Sequence, residues 1–197
     1  MLQPVRREKK CRACPTRFVP TRPLQVACCP DCAQTLARRN REKAEKRAAT
    51  IERQKARAAL EALKTAPQLM AEADRAFCAY IRARDKAAGH PCISSGLPLD
   101  WGGNSVDAGH YRSRGAASHL RYDERNCHAQ AKRENRYKGG NVVEYRAHLI
   151  QRIGLEAVEA LEQDNGTHKW TRDELREIRD RYRAKLRELT QGARHGR

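Results

Sequence analysis

The chain is poor in aromatic residues: two Trp, two Phe and six Tyr make up 5% of its 197 residues. With a mean hydropathy of −0.91, that poverty excludes one large apolar core. Small lobes joined by solvated helix fit better. No stretch approaches the roughly 18–20 consecutive apolar residues that span a bilayer, and the N-terminus has no apolar signal-peptide core. Both absences predict a cytoplasmic protein with no membrane partner. Acid is also scarce beside base, with 24 Asp and Glu against 41 Lys and Arg and a net charge of +17. That imbalance selects a polyanionic partner, because cation–phosphate pairing and counterion release convert surface charge into nucleic-acid affinity. An anionic membrane surface is the rival, but the basic stretches lack the apolar face that an interfacial helix buries.

What the chain does have is cysteine, eight in all. In a chain without an export signal they read as metal ligands rather than disulfides. Five fall early, as Cys11-x2-Cys14 and Cys28-Cys29-x2-Cys32. Two close pairs around a short loop can close a tetrahedral thiolate site on zinc, replacing the core that about twenty residues cannot build. The expected ligands are Cys11, Cys14, Cys32 and one of Cys28 and Cys29, with Cys28 taken as the working choice. Residues 1–10 read as basic and loose.

From Ala33 to about Lys64 there is no Gly or Pro, and Ala, Arg, Lys and Glu dominate. A long helix is expected, its apolar stripe too thin for a core. Arg38, Arg39, Arg41, Lys43 and Arg47 make it a connecting rod, a phosphate-binding surface, or both. A second helix is expected from about Pro67 to Ala88, carrying Leu69, Ala73, Phe77, Tyr80, Ile81 and Arg84 at helical spacing. Residues 92–125 are glycine-rich and suggest short strands and loops. A short helix is expected from about Asn126 to Gly139-Gly140, followed by helices over Val142–Ile153, Leu155–Gln163 and Arg172–Leu189. The resulting fold class is α+β and mostly helical. The expected parts are a zinc ribbon over 1–36, a basic helical linker over 37–66, a central lobe over 67–140 and a helical region over 141–197.

The chemistry concentrates between positions 107 and 138. Asp107 and His110 sit on one short segment; Asn126, His128, Asn135 and Lys138 follow. A metal-dependent nuclease needs this set: hard donors for a divalent ion, a neutral imidazole to activate water, and a cation near the phosphate. In a regular strand Asp107 and His110 point to opposite faces, so a bulge at Gly109 is expected to bring them into one pocket. Asn126 can instead cap a helix, and His128 can be an ordinary helix residue.

The segments Cys92-Ile-Ser-Ser-Gly96, Asp107-Ala-Gly-His110-Tyr-Arg112, Leu120 through Gln130 and Asn135-Arg-Tyr-Lys138 resemble the NinG (Rap) family of lambdoid phages. So do Glu144-Tyr-Arg146, Leu149 through Gly154 and His168-Lys-Trp-Thr171. The resemblance takes in the cysteine cluster but matches 33–66 only in composition. More broadly, Asn126 through Lys138 is similar to the tail of HNH nucleases, where a hairpin and helix cradle one divalent ion. What this implies is a ββα-metal central lobe in a recombination endonuclease that cuts branched DNA (Holliday junctions or D-loops) with Mg²⁺ or Mn²⁺. Symmetric cutting further implies a homodimer, and a phage or prophage origin implies the host cytoplasm. By the same match His110 is the base or a metal partner, Asp107 and Asn126 or Asn135 are ligands, and His128 is a secondary participant. Arg112, Arg114, Arg133 and Lys138 join the DNA-binding set. The family carries two Cys-x2-Cys pairs in this lobe. Here Cys92 remains, while Ser95, Ala131 and Glu134 occupy the other positions, so no zinc is expected there. The alternative is a non-catalytic zinc-ribbon factor that binds nucleic acid.

Overall fold

A computed structural model describes residues 7–137 and 139–195. The chain divides into two compact units, residues 1–63 and 64–197.

In the first unit, strands β1 (Lys9–Lys10) and β2 (Arg17–Phe18) pair antiparallel, Lys9 opposite Phe18. Helix α1 (Pro30–Leu63) runs for 34 residues and buries none of them. Pro30 suits the start of a helix, where its missing N–H costs nothing. The helix therefore begins before the expected Ala33 and takes in Cys32. Its alanines give it intrinsic propensity without a face to pack.

In the second unit, α2 (Ala66–Ala87) starts at Thr65, whose side chain accepts from the Gln68 N–H while the Gln68 side chain accepts from the Thr65 N–H. That reciprocal cap fixes the N-terminus. Leu69, Ala73, Phe77 and Ile81 recur every four residues along its buried face. They pack with Leu175, Ile178 and Tyr182 of α6 (Arg172–His195). Phe77 meets Tyr182 edge-on at 4.8 Å between ring centroids, a favoured aromatic geometry. Helices α4 (Val142–Ile153) and α5 (Leu155–Gln163) match their expected ranges. Gly154, at φ +88, makes the corner between them. Tyr145, Leu149, Val158 and Leu161 close a second core over Ile93 and Leu120. Both cores join residues before 140 to residues after it, so the expected boundary at 140/141 does not separate compact units.

Between these helices lies a two-stranded sheet, β3 (Val106–His110) against β4 (Cys127–Ala131), followed by the short helix α3 (Lys132–Tyr137). Two 3-10 turns, Ser118–Tyr122 and Glu124–Asn126, occupy the connection. The helix expected from Asn126 is thus corrected: residues 127–131 are a strand, and helix begins only at Lys132. Buried on both sides by neighbouring elements, this five-residue segment satisfies its backbone against β3. His128 and Asn135 consequently do not share a helix face.

Candidate functional site

In the first unit the Sγ atoms of Cys11, Cys14, Cys28 and Cys32 all lie within 4.8 Å of one another. Cys14 to Cys28 and Cys28 to Cys32 are each 3.6 Å, close to the roughly 3.8 Å edge of a tetrahedron with zinc–sulfur bonds of about 2.3 Å. Burial opposes ionisation of Cys11. The N–H groups of Ala13, Cys28 and Cys14 nevertheless bring its thiol down to about 6, while the crowding of the thiols pushes Cys28 up to about 11 and Cys32 upward as well. Cys29 is exposed and outside the cluster. The four cysteines are able to hold a structural metal such as zinc, and among the described residues they are the only such group.

In the second unit the ladder from Val106↔Ala131 to His110↔Cys127 is unbroken. The expected bulge at Gly109 is therefore absent. Asp107 and His110 emerge on opposite faces, their Cα atoms about 10 Å apart at roughly 3.3 Å per residue. Gly109 serves another purpose: a Cβ there would lie 1.9 Å from Gln130 Oε1. Its lack of a side chain lets the buried Gln130 reach Ser94 Oγ and the Gly140 carbonyl.

On one face, Asn135 of α3 donates through Nδ2 to Asp107 Oδ2 at 3.1 Å, and Arg136 Nε reaches the same oxygen at 3.2 Å. Strand acid and helix amide are thus brought together. On the other face, His110 Nε2 lies 2.9 Å from the Arg121 carbonyl. A carbonyl only accepts, so this nitrogen carries the proton and Nδ1 holds the lone pair, 3.7 Å from Cys127 Sγ. Burial holds the imidazole below its ordinary pKa despite that carbonyl. Arg121 is itself fixed by Asp74, through contacts of 2.8 and 2.5 Å.

Asn126 is fully buried and caps no helix. Its Oδ1 accepts from Arg112 N at 2.7 Å, while its Nδ2 donates to the carbonyls of Arg112 and Leu120 at 3.0 and 3.2 Å. It staples together the two ends of the loop that supplies the Arg121 carbonyl. His128 is also buried. Arg84 and Arg152 both donate to its Nδ1, at 3.1 and 3.2 Å, and its Nε2 donates to the Arg125 carbonyl at 3.1 Å. Both ring nitrogens are engaged, which makes His128 a packing and hydrogen-bonding residue in this structure. Sequence reasoning missed its surroundings, Asp85 and Arg152. The available signal was an acid at the next step of the α2 stripe, after Leu69, Ala73, Phe77 and Ile81.

At the four positions of the family's central cysteine pairs, Cys92 is buried and its Sγ accepts from Ala131 N at 3.2 Å. Glu134 is buried beside Asn141, at 3.4 Å. Among the cationic candidates, Arg38, Arg39, Arg41, Lys43 and Arg47 are exposed on α1. Arg114 pairs with Asp74, and Arg133 is exposed beside Glu134. Arg112 is committed inside the molecule, donating to the Leu161 and Glu162 carbonyls at the end of α5. Lys138 lies outside the described residues. No helix among the described residues is long and apolar enough to cross a membrane.

The model of the family described as Bacteriophage Lambda NinG protein matches residues 3–192. Protein ninG of Escherichia phage 933W is 42% identical over 202 residues, covering 96% of each chain. Those of Salmonella phage P22 and Escherichia phage lambda are each 40% identical over the same span and coverage. No solved structure matches the chain. With that coverage and identity, the chain belongs to the NinG family of phage proteins.

Proposed function

We propose that this chain is a divalent-metal-dependent DNA endonuclease acting on branched recombination intermediates. The carrying observation is the approach of Asn135 to Asp107 across a strand–strand–helix unit. It is supported by a net charge of +17 and by the resemblance of residues 126–138 to HNH nucleases. Asp107 and the amide oxygen of Asn135, once the amide turns from the Nδ2 contact with Asp107, would be the hard donors that hold Mg²⁺ or Mn²⁺. Once bound there, such an ion supplies charge stabilisation at the phosphate and a more acidic water.

The protein's own residues supply the rest. His110 stays neutral, its tautomer is set by the Arg121 carbonyl, and Nδ1 is its basic nitrogen. Asp74 and Asn126 hold the loop that carries that carbonyl. Since Asp107 and His110 face opposite ways, the ion is assigned to the Asp107–Asn135 side. The base is assigned to the end of β3, where the ladder gives way to loop. The exposed cations of α1 are assigned to the arms of the DNA, and cutting both strands of a junction calls for a homodimer.

A second reading, a non-catalytic nucleic-acid-binding factor, is favoured by the full engagement of both histidines. Cleavage of a labelled four-way junction with each ion, by the natural chain and by His110→Ala, separates the two. Loss of cleavage with binding retained supports the base, typically by 10²–10⁴-fold for a general base. Unchanged cleavage removes His110 from the chemistry. Binding without cleavage by the natural chain favours the second reading.

A further inference from the structure

A cavity of about 240 Å³ lies beside β4, lined by Arg84, Asp85, His90, Glu124, Arg125, His128 and Arg152 among others. It is far larger than the roughly 30 Å³ share of one water. Its charges pair off unevenly. Arg125 contacts Asp123 at 2.7 Å, and Lys185 contacts Glu124 at 2.5 Å. Asp85, whose side chain is 1% exposed, binds Arg84 Nε at 2.7 Å and the Ala129 N–H at 2.6 Å. Arg152 remains. Its side chain is 13% exposed, and it meets the same Asp85, at 3.4 Å. Its other contacts are the neutral His128 nitrogen at 3.2 Å and the Pro91 carbonyl at 3.3 Å. Arg84 also reaches Glu124, at 3.8 Å, whereas Arg152 has only a share of Asp85 among the ion pairs of this pocket, and burial pulls Arg152 below its ordinary pKa. A largely buried cation without a counter-charge of its own is costly unless something else supplies the anion.

We infer that this cavity is a phosphate-binding pocket, in which Arg152 receives a phosphate group of a nucleic-acid strand beside Arg84. Guanidinium matches phosphate in shape and donor spacing. The strand as source rests on the nucleic-acid reading above; the anion site itself does not.

Thermal unfolding of the full chain, with and without inorganic phosphate, is the test, run beside Arg152→Gln. The natural chain is expected to melt higher with phosphate, while Arg152→Gln shows no such gain. Without phosphate the variant is expected to melt at or above the natural chain, because an uncompensated charge has gone. A variant that fails to fold, or an equal phosphate effect on both proteins, overturns the pocket. On junction DNA, Arg152→Gln is expected to lower the slope of log affinity against log salt by about one. Phosphate protection with an unchanged slope overturns the strand as the source. Protection in a chain that binds no DNA leaves the pocket standing and removes the nucleic-acid reading instead.

Discussion

Asn135 Nδ2 donates to Asp107 Oδ2 at 3.1 Å, tying the helix after the hairpin to its first strand. The two residues are far apart in sequence, and only the β3–β4 pairing makes them neighbours. Asn135→Ala should remove one donor of the proposed ion site while leaving the core intact, because the side chain is only half-buried. The expected outcome is a higher divalent-ion requirement for cleavage, read as rate against Mg²⁺ or Mn²⁺ concentration. The melting temperature should hardly change.

Asn126 fills three hydrogen bonds in a site closed to water. Asn126→Ala strands the N–H and the carbonyl of Arg112, at about 1–3 kcal/mol for each group left unpaired, while the Leu120 carbonyl keeps the Asp123 N–H. A fall in stability of several kcal/mol, on the order of 3, is expected in urea unfolding. A change near zero would mean that water enters and replaces the amide.

Gly109→Ala should destabilise by about 1–3 kcal/mol, the usual range for overpacking. The added methyl must push Gln130 away from Ser94 and Gly140. Gln130→Ala in the same chain relieves the clash, so the double variant should lose less than the sum of the two. Additivity within error would show that the methyl is accommodated elsewhere.

Burial lowers the pKa of both His110 and His128 in the folded chain. Above the unfolded imidazole value of about 6.5, both states are neutral and the full stability is present. As pH falls through that value the unfolded chain takes up protons that the folded chain refuses, so stability declines. Stability measured from pH 8 to 5 should therefore drop on the acid side of about 6.5. Replacing His128 with Gln should flatten that drop.

The cysteine cluster should bind one zinc per chain. Cys28→Ser should lose it and Cys29→Ser should keep it, because Cys29 stands outside the cluster. Chelation should melt the first unit, where the β1–β2 pair offers two residues on each strand. Metal analysis giving two zincs per chain would contradict this.

The helices were legible because their signals are local. The unbroken Ala-Arg-Lys-Glu run marked α1, the four-residue stripe marked α2, and Gly154 marked the corner between α4 and α5. The strand β4 was not legible, because Cys127-His-Ala-Gln-Ala131 carries no alternation and its partner is supplied from a distance. The candidate site followed the same division. Asp107, His110 and Asn135 could be named from residue type and resemblance, whereas their distribution over two faces depends on a register that no spacing reveals. Choosing Cys28 over Cys29 likewise required the fold, since both fit the Cys-x2/x3-Cys pattern. The pairing of Asp85 with two arginines joins α2 to α4 and had no local signature beyond an acid in an apolar stripe.

The central claim is that Asp107 serves chemistry rather than packing. Junction cleavage by Asp107→Ala, with Mg²⁺ or Mn²⁺ and with binding measured on the same samples, tests it most directly. The account predicts that cutting is lost while junction affinity is kept. A variant that cuts at the natural rate would contradict it.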